Sequence, residues 1–561
     1  MEPTDTLHLK LPSRSLGSLS FCANGSGSGI ELLERWTKDL SSTDYQRSGE
    51  DLAHALDELT RLDCSPSGLY EFVEIVRSPV LVTATNIFQR YLKRHITFDS
   101  SQQAWVDLCH RLHSGLATAY KAVVQCCLDN DEHGDALAIA LHRAISDSAI
   151  MYLFHCLLYR PASEGLWLEL HILYQIATQH NHQDFQQGDP FDSKCKSLTA
   201  ENLYKRVLLL SRSDTNKLSS AEIRQIWQIL SLWIVHCKIQ PKSGLKTYFS
   251  VNINKDEGLQ YAAPGPDKTY PGVLGLNVRV LTAHLEKIKK DSKISNILSA
   301  ELIEHLILSW GPILKRSNPR KVFSNHCETC FGFTGLHYHL SGKRDFDDII
   351  AAHSRSLGAS SFSEQSDDIW SQAYDAEIVD EDGPASSLTG EAISFSTVST
   401  ESTDSTEEFS DSKRPTTLET EIINSSHTGF CMKISGKPPQ QFHAGELMGI
   451  RQNSESSWGL YSVRWMGVSA QNEVTFGVNF ITEVVEAVAI SLIRKIQTES
   501  HFQRAFMLPD PKEVSLIVPN FFGEEGVKFD LIHNSVLQKG QLTKCIYSTP
   551  TWSQYEFRLI G

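Results

Sequence analysis

The chain has 561 residues, a formal net charge of -15 and twelve cysteines. This length supports several domains, each able to bury its own core without disulfides. The acidic balance and the lack of a Lys/Arg block argue against binding to DNA or RNA, because long runs of phosphate would be repelled, although a few arginines could still hold a small phosphate ligand.

The amino-terminal stretch MEPTDTLHLKLPSRSL lacks the apolar segment of a signal peptide. No run of about 18 apolar residues occurs in the chain, so we expect no membrane span. The cysteines are dispersed, mostly within apolar patterns, as reduced thiols would be. These features predict a cytoplasmic protein.

Residues 27–310 have helical periodicity. Leu166, Leu170, Leu173 and Ala177 recur at spacings of four, three and four, which places them on one helix face. The pattern predicts an all-α domain, either irregular or a solenoid-like array of the kind that docks a protein partner. Short strand-like runs with Pro/Gly turns interrupt it between 246 and 272.

The composition changes between residues 354 and 416. In STVSTESTDSTEEFSDS (396–412), ten positions are Ser or Thr and five are acidic. Such a segment cannot bury enough apolar surface to offset the entropy lost on ordering. We therefore expect a disordered linker or insertion over 354–416.

Beyond the linker the period becomes two. Phe430, Met432 and Ile434 alternate with more polar neighbours, and WGLYSVRWM and EVTFGVNFI are rich in β-formers. Residues 417–484 are predicted to form an antiparallel β-barrel. Residues 485–497 look helical, and alternation returns after 513, so 485–561 is expected to hold a helix and a small β module.

The polar turn NSSHTG (424–429) matches the Asn/Asp-x-Ser-x-x-Gly signature of PilZ domains, and the strands after it follow in the order of that family. PilZ domains also carry an Arg-x-x-x-Arg motif before their first strand, and KRSNPRKVF supplies Arg316 and Arg320 at that spacing. The chain thus resembles a PilZ protein whose motif and first strand (Lys321 to Phe333, within 311–350) are separated from the barrel by the linker. Loop closure costs little extra for a long insertion, so a split barrel is feasible.

The resemblance implies a multidomain α+β protein that binds cyclic di-GMP through Arg316, Arg320, Asn424, Ser426 and Gly429. The helical half is similar to that of large proteobacterial PilZ proteins, which implies an effector that passes the second-messenger level to a protein partner. No cofactor, catalytic residue or metal is expected.

Three alternatives remain open. HCETCFGFTGLHYH holds Cys327, Cys330, His337 and His339, which could ligate zinc, although a Cys-x-x-Cys pair in a strand points its thiols to opposite faces. An enzyme is disfavoured because no Walker-type loop or paired-carboxylate motif occurs. The third alternative is an interaction scaffold with a PilZ-like barrel that no longer binds nucleotide.

Overall fold

The computed structural model describes residues 9–22, 28–92, 96–189, 191, 198–241, 248–262, 272–290, 298–312, 320–356, 414–439, 442–453, 455–469, 471–493, 501–509 and 514–560. These residues form two compact units. The first contains the described residues up to 215 and from 220 to 312, and the second contains the described residues from 320 to 560 together with 216–219.

The first unit is mainly helical. Its α-helices are α1 (Gly29–Asp39), α2 (Tyr45–Arg61), α3 (Pro66–Ile87), α4 (Ser100–Asp129), α5 (Asp135–Leu157), α6 (Leu166–Gln179), α7 (Ala200–Ser211), α8 (Ser220–Trp233), α9 (Arg279–Lys290) and α10 (Ala300–Ser309). Capping boxes stabilise the amino termini of two of these helices. Ser28 and Glu31 cap α1, and Asp99 and Gln102 cap α4.

Apolar helix faces form the core of this unit. The stripe predicted from sequence is confirmed in α6, where Leu166, Leu170, Leu173 and Ala177 are all at most 2% exposed. Helix α5 is long and apolar enough to cross a membrane by length and composition, but 83% of its apolar window is buried inside the protein. Burial of this kind is typical of the central helix of a bundle.

Small β elements accompany these helices. A two-stranded sheet joins β1 (Gln186–Gln187) to β2 (Leu198–Thr199). A four-stranded antiparallel sheet contains β3 (Lys238–Pro241), β4 (Phe249–Asn252), β5 (Gln260–Tyr261) and β6 (Val273–Asn277), in the order β3-β6-β4-β5. The strand-like runs predicted within 246–272 correspond to β4 and β5.

The second unit contains two closed barrels. The first is formed by β7 (Lys321–Phe331), β8 (Leu418–Ser426), β9 (Gly429–Ile434), β10 (Leu447–Arg451), β11 (Gly459–Val468) and β12 (Val474–Thr482). Strand β7 pairs with β8 on one side and with β10 on the other. The split barrel is therefore confirmed, since its first strand lies before the insertion and its other five lie after it.

Two helices follow β7 before the insertion. Helix α11 (Gly332–Leu340) begins where β7 ends, so the predicted first strand stops at Phe331 rather than Phe333. Gly332 allows this change of direction because its φ is 72°. Helix α12 (Phe346–Ser356) comes next. The expected disordered linker (354–416) falls mainly on 357–413, which lie outside the described residues.

The second barrel is formed by β13 (Glu486–Leu492), β14 (Gln503–Leu508), β15 (Ser515–Pro519), β16 (Lys528–His533), β17 (Val536–Ser548) and β18 (Trp552–Ile560). The helix predicted over 485–497 is wrong, because its described part contains strand β13. Val488, Ala489 and Ile490 are consecutive and all 0% exposed. A strand that is covered on both faces loses the alternation by which strands are predicted.

Candidate functional site

Strand pairing in the first barrel brings the two predicted half-motifs together. Lys321 lies opposite Ser425 and Val322 lies opposite Asn424. Arg320 directly precedes this strand and is exposed. Arg320 is thus placed beside the end of β8, where the Asn-x-Ser-x-x-Gly turn begins. Arg316 lies outside the described residues.

Cys431, on strand β9, lies at the centre of the candidate site. It lies opposite Asn424 on β8 and opposite Gly477 on β12. Burial raises the pKa of the Cys431 thiol, whereas the positive charge of Arg320 and a hydrogen bond with the Asn424 side chain lower it. Arg320 and Asn424 therefore both lie close to the same sulfur atom, although they are about a hundred positions apart in the sequence.

The NSSHTG turn packs against β12. The Phe480 amide donates to the Thr428 carbonyl at 2.8 Å. A Cβ atom on Gly429 would lie 1.8 Å from the Val478 carbonyl oxygen. Only glycine fits at this distance, so the Gly of the motif is required by the close approach of two backbones. Ser426 donates its hydroxyl to the Gly429 carbonyl at 3.2 Å, which ties the turn together.

Trp465 is a candidate site residue that sequence reasoning missed. It lies opposite Gly477, and a Cβ atom on Gly477 would be 1.9 Å from Trp465 Nε1. The indole ring therefore covers Gly477. Phe476 and Val478, which flank Gly477, are buried in the barrel. Gly477 and Trp465 consequently lie on the outer face, next to Cys431, and the indole is half-buried there.

The chemistry of this surface suits a planar base linked to phosphate. An exposed guanidinium can pair with phosphate oxygens, hydrogen-bond to guanine O6 and N7, or stack on a purine. The Asn424 amide can both donate and accept hydrogen bonds. A half-buried tryptophan offers an aromatic face for stacking.

The alternative metal site is dispersed over two elements and is largely buried. Cys327 and Cys330 lie on β7 with 3% and 1% exposure, whereas His337 and His339 lie on helix α11. Burial raises the pKa of both thiols to about 12, which favours the protonated form over the thiolate that binds metal. In the described part of the chain, no group of three or more His, Cys, Asp or Glu side chains has an arrangement that could hold a metal ion.

Comparison with known families covers nearly the whole chain. Residues 31–243 match the model described as "Cyclic-di-GMP receptor FimW, N-terminal domain", residues 248–485 match "Cyclic-di-GMP receptor FimW, middle PilZ domain", and residues 488–560 match "FimW C-terminal beta-barrel domain". The chain is a PilZ-domain protein. Its PilZ domain, as matched, includes both the strand that follows Arg320 and the NSSHTG turn.

A curated relative has the same extent. The protein named cyclic-di-GMP receptor FimW from Pseudomonas aeruginosa is 24% identical over 579 residues, which covers 98% of this chain and 93% of that protein. No solved structure matches the chain. The resemblance to PilZ proteins with a helical amino-terminal half is thereby confirmed at the level of the domain order.

Proposed function

We propose that this protein is a receptor for cyclic di-GMP and that the ligand binds to the outer face of the first barrel, around Cys431. The observation that carries the proposal is the β7–β8 register, which sets Arg320 beside the Asn-x-Ser-x-x-Gly turn. The match to a PilZ domain and the similarity to a protein named as a cyclic di-GMP receptor support the same ligand.

Each site residue has a distinct role in this proposal. Arg316 and Arg320 engage the phosphates and guanines, because a guanidinium can do both. Asn424 contributes polar contacts to a base edge. Ser426 and Gly429 hold the turn in the shape that presents Asn424. Trp465 provides a stacking surface at the other side of Cys431.

Isothermal titration calorimetry of the full chain tests this function. We expect heat of binding with micromolar cyclic di-GMP and none with GMP at the same concentration, because GMP presents one guanine and one phosphate to a site with two arginines. An absence of heat with cyclic di-GMP would contradict the proposal and favour a silent barrel that serves as an interaction scaffold.

The output of the receptor is a protein partner held by the helical unit. A ligand can shift such an interaction only if it binds the two conformations of the receptor with different affinity. A pull-down with the full chain as bait, with and without cyclic di-GMP, should recover a protein whose amount depends on the nucleotide. Identical captures in both conditions would contradict this output.

The proposal places the receptor in the cytoplasm. Ten cysteines in the described part of the chain are free thiols, as expected in a reducing compartment. Cell fractionation with an antibody to the native protein tests this placement, and recovery in an extracytoplasmic fraction would contradict it.

A further inference from the structure

The two barrels of the second unit share one strand connectivity. Number the strands of each barrel from one to six in chain order. Both rings then run 1-2-3-6-5-4 and close between strands four and one. All pairs in both rings are antiparallel. The two barrels therefore have the same topology.

A glycine precedes the fourth strand at the same place in each barrel. In the first barrel, the Gly445 amide donates to the Val463 carbonyl at 2.7 Å, and the Val463 amide donates to the Glu446 carbonyl at 2.8 Å. In the second, the Gly526 amide donates to Leu542 at 2.9 Å, and the Leu542 amide donates to Val527 at 2.9 Å. The φ angles of the two glycines are 91° and 89°.

A β-bulge follows at the same point of each fifth strand. The register of β11 against β12 shifts between Val463 and Trp465, and that of β17 against β18 shifts between Leu542 and Lys544. The bulge and the glycine together align the two barrels residue by residue. The positions that surround the nucleotide site then correspond as follows: Asn424 to Leu508, Cys431 to Ser515, Gly477 to Glu556, and Trp465 to Lys544.

These replacements remove the features of a nucleotide site. The polar amide of Asn424 becomes an apolar leucine at 508. The tryptophan over a glycine becomes an ion pair, in which Lys544 Nζ lies 3.0 Å from Glu556 Oε1. The carboxylate of Glu556 would repel a phosphate at the point where the first barrel has only Gly477.

Helix α11 packs against the outer face of the second barrel at β13 and β14. Phe506 and Leu508 on β14, Ile517 on β15 and Trp552 on β18 belong to one buried cluster. The cluster also contains Phe333 and Leu336 of α11, and Cys330, Leu447, Trp458 and Leu460 from the region of the first barrel. The rings of Phe333 and Phe506 stack with centroids 5.2 Å apart. His337 Nε2 lies 3.1 Å from the Val488 carbonyl oxygen of β13.

The first barrel is polar at the matching position. Ile517 lies two residues after Ser515, and Lys433 lies two residues after Cys431. Because Ser515 and Cys431 are aligned, Ile517 corresponds to Lys433. Lys433 pairs with Glu473 at 2.6 Å and is partly exposed. Ile517 is instead 0% exposed, within the buried cluster that includes Phe333 and Leu336 of α11.

We propose that the carboxyl-terminal barrel is a second barrel of PilZ topology that has lost the nucleotide site and whose neighbouring outer surface, around Phe506, Leu508 and Ile517, is a docking face for α11, so that the chain binds cyclic di-GMP through its first barrel alone. The part of this inference that concerns nucleotide rests on the proposed function. The part that concerns α11 does not. Because α11 begins directly after β7, the second barrel also anchors the strand that Arg320 precedes.

Hydrogen–deuterium exchange on the full chain tests the docking face. Ile517→Ala should make the amides of residues 332–340 exchange about tenfold faster or more, since removing buried methylene groups weakens the packing of the helix. Lys433→Ala changes the matched position of the first barrel and should leave these amides unchanged. Phe506→Ala serves as a second variant if Ile517→Ala does not fold. Unchanged exchange of 332–340 in a folded variant would overturn the docking face.

The nucleotide part has its own readout. Cyclic di-GMP should slow exchange in 418–434 and 474–482 of the wild-type protein and leave 503–508, 515–519 and 552–560 unchanged. The double variant Arg320→Ala/Asn424→Ala should bind the nucleotide more weakly than Arg320→Ala alone. Protection of 503–508 or 515–519 by the nucleotide, or wild-type affinity in the double variant, would overturn the assignment of a single binding barrel. A wild-type protein that binds no nucleotide would instead contradict the proposed function, and the α11 result would stand independently.

Discussion

At the scale of single residues, Trp465 shows why part of the site could not be predicted from sequence. Strand periodicity would place Val463 and Trp465 on the same face. The bulge between them adds one residue to β11, so Val463 and Met466 are buried while Trp465 emerges on the outer face. Because no turn residue marks the bulge in the sequence, the sequence predicts only that the tryptophan lies in a strand.

Trp465→Ala should weaken binding of cyclic di-GMP by about 1 to 3 kcal/mol, because stacking of a base on an aromatic side chain is worth that much. Trp465→Phe should recover most of the loss, since it restores an aromatic face. Calorimetry of the two folded variants measures both effects. An Ala variant with wild-type affinity would show that the indole only covers Gly477.

The residues of the Asn-x-Ser-x-x-Gly motif could be predicted from the sequence because they lie within one short stretch. Asn424, Ser426 and Gly429 fall within six positions, and the turn that they form is made by their own backbone. Arg320 could be named from its own motif as well. Its distance from Asn424 depends on strand pairing across the insertion, which no local pattern encodes.

At the scale of elements, the split barrel was predictable because a composition change separates two β-rich stretches. The boundary of β7 and the nature of β13 were not predictable. Gly332 allows the chain to turn from a strand into a helix within a run of mixed character. Strand β13 is apolar on consecutive positions, which resembles a buried helix as much as a buried strand.

Cutting the insertion should leave the first barrel assembled. A specific protease site introduced within 384–391 would separate β7 from β8 in the chain, but β7 remains hydrogen-bonded to both β8 and β10. The two fragments should co-elute in size-exclusion chromatography and separate only in denaturant. Elution as two independent species without denaturant would disprove the shared barrel.

At the scale of the whole molecule, sequence reasoning gave the order of a helical half followed by β structure. It did not reveal that the second barrel repeats the first. The evidence for that repeat lies in ring order, a paired glycine and a bulge, and few of the aligned site residues retain their chemical character. Connectivity of this kind is set by which strands pair, so periodicity alone cannot identify it.

The helical unit carries a built-in sensitivity to acid. His142, His155 and His171 are at most 9% exposed, and burial lowers the pKa of each to about 4. In the unfolded chain a histidine titrates near pH 6.5, so the unfolded state binds protons first as the pH falls. The three histidines therefore contribute full stability above about pH 6.5 and lose it progressively as the pH falls toward 4.

Asp147 changes the pH dependence of folding stability in the opposite direction. Burial raises its pKa to about 6 despite the nearby Arg77, so the folded state takes up this proton before the unfolded state does. One carboxyl group thus opposes three imidazoles. The pKa shift of each imidazole corresponds to on the order of 3 kcal/mol in the free energy of unfolding. Thermal unfolding followed by circular dichroism should show a clearly lower midpoint at pH 5 than at pH 7.5. An equal or higher midpoint at pH 5 would contradict the buried neutral histidines.

In the proposed receptor Arg320, beside the Asn-x-Ser-x-x-Gly turn, binds cyclic di-GMP, and calorimetry of Arg320→Ala tests this binding most directly. Loss of a charged partner typically costs about 2 to 5 kcal/mol, so binding should weaken at least thirtyfold. Arg320 is exposed, so folding should be unchanged. Arg558→Ala, which removes an exposed arginine from the second barrel, should retain wild-type affinity. Equal affinity of Arg320→Ala and the wild-type protein would contradict the account.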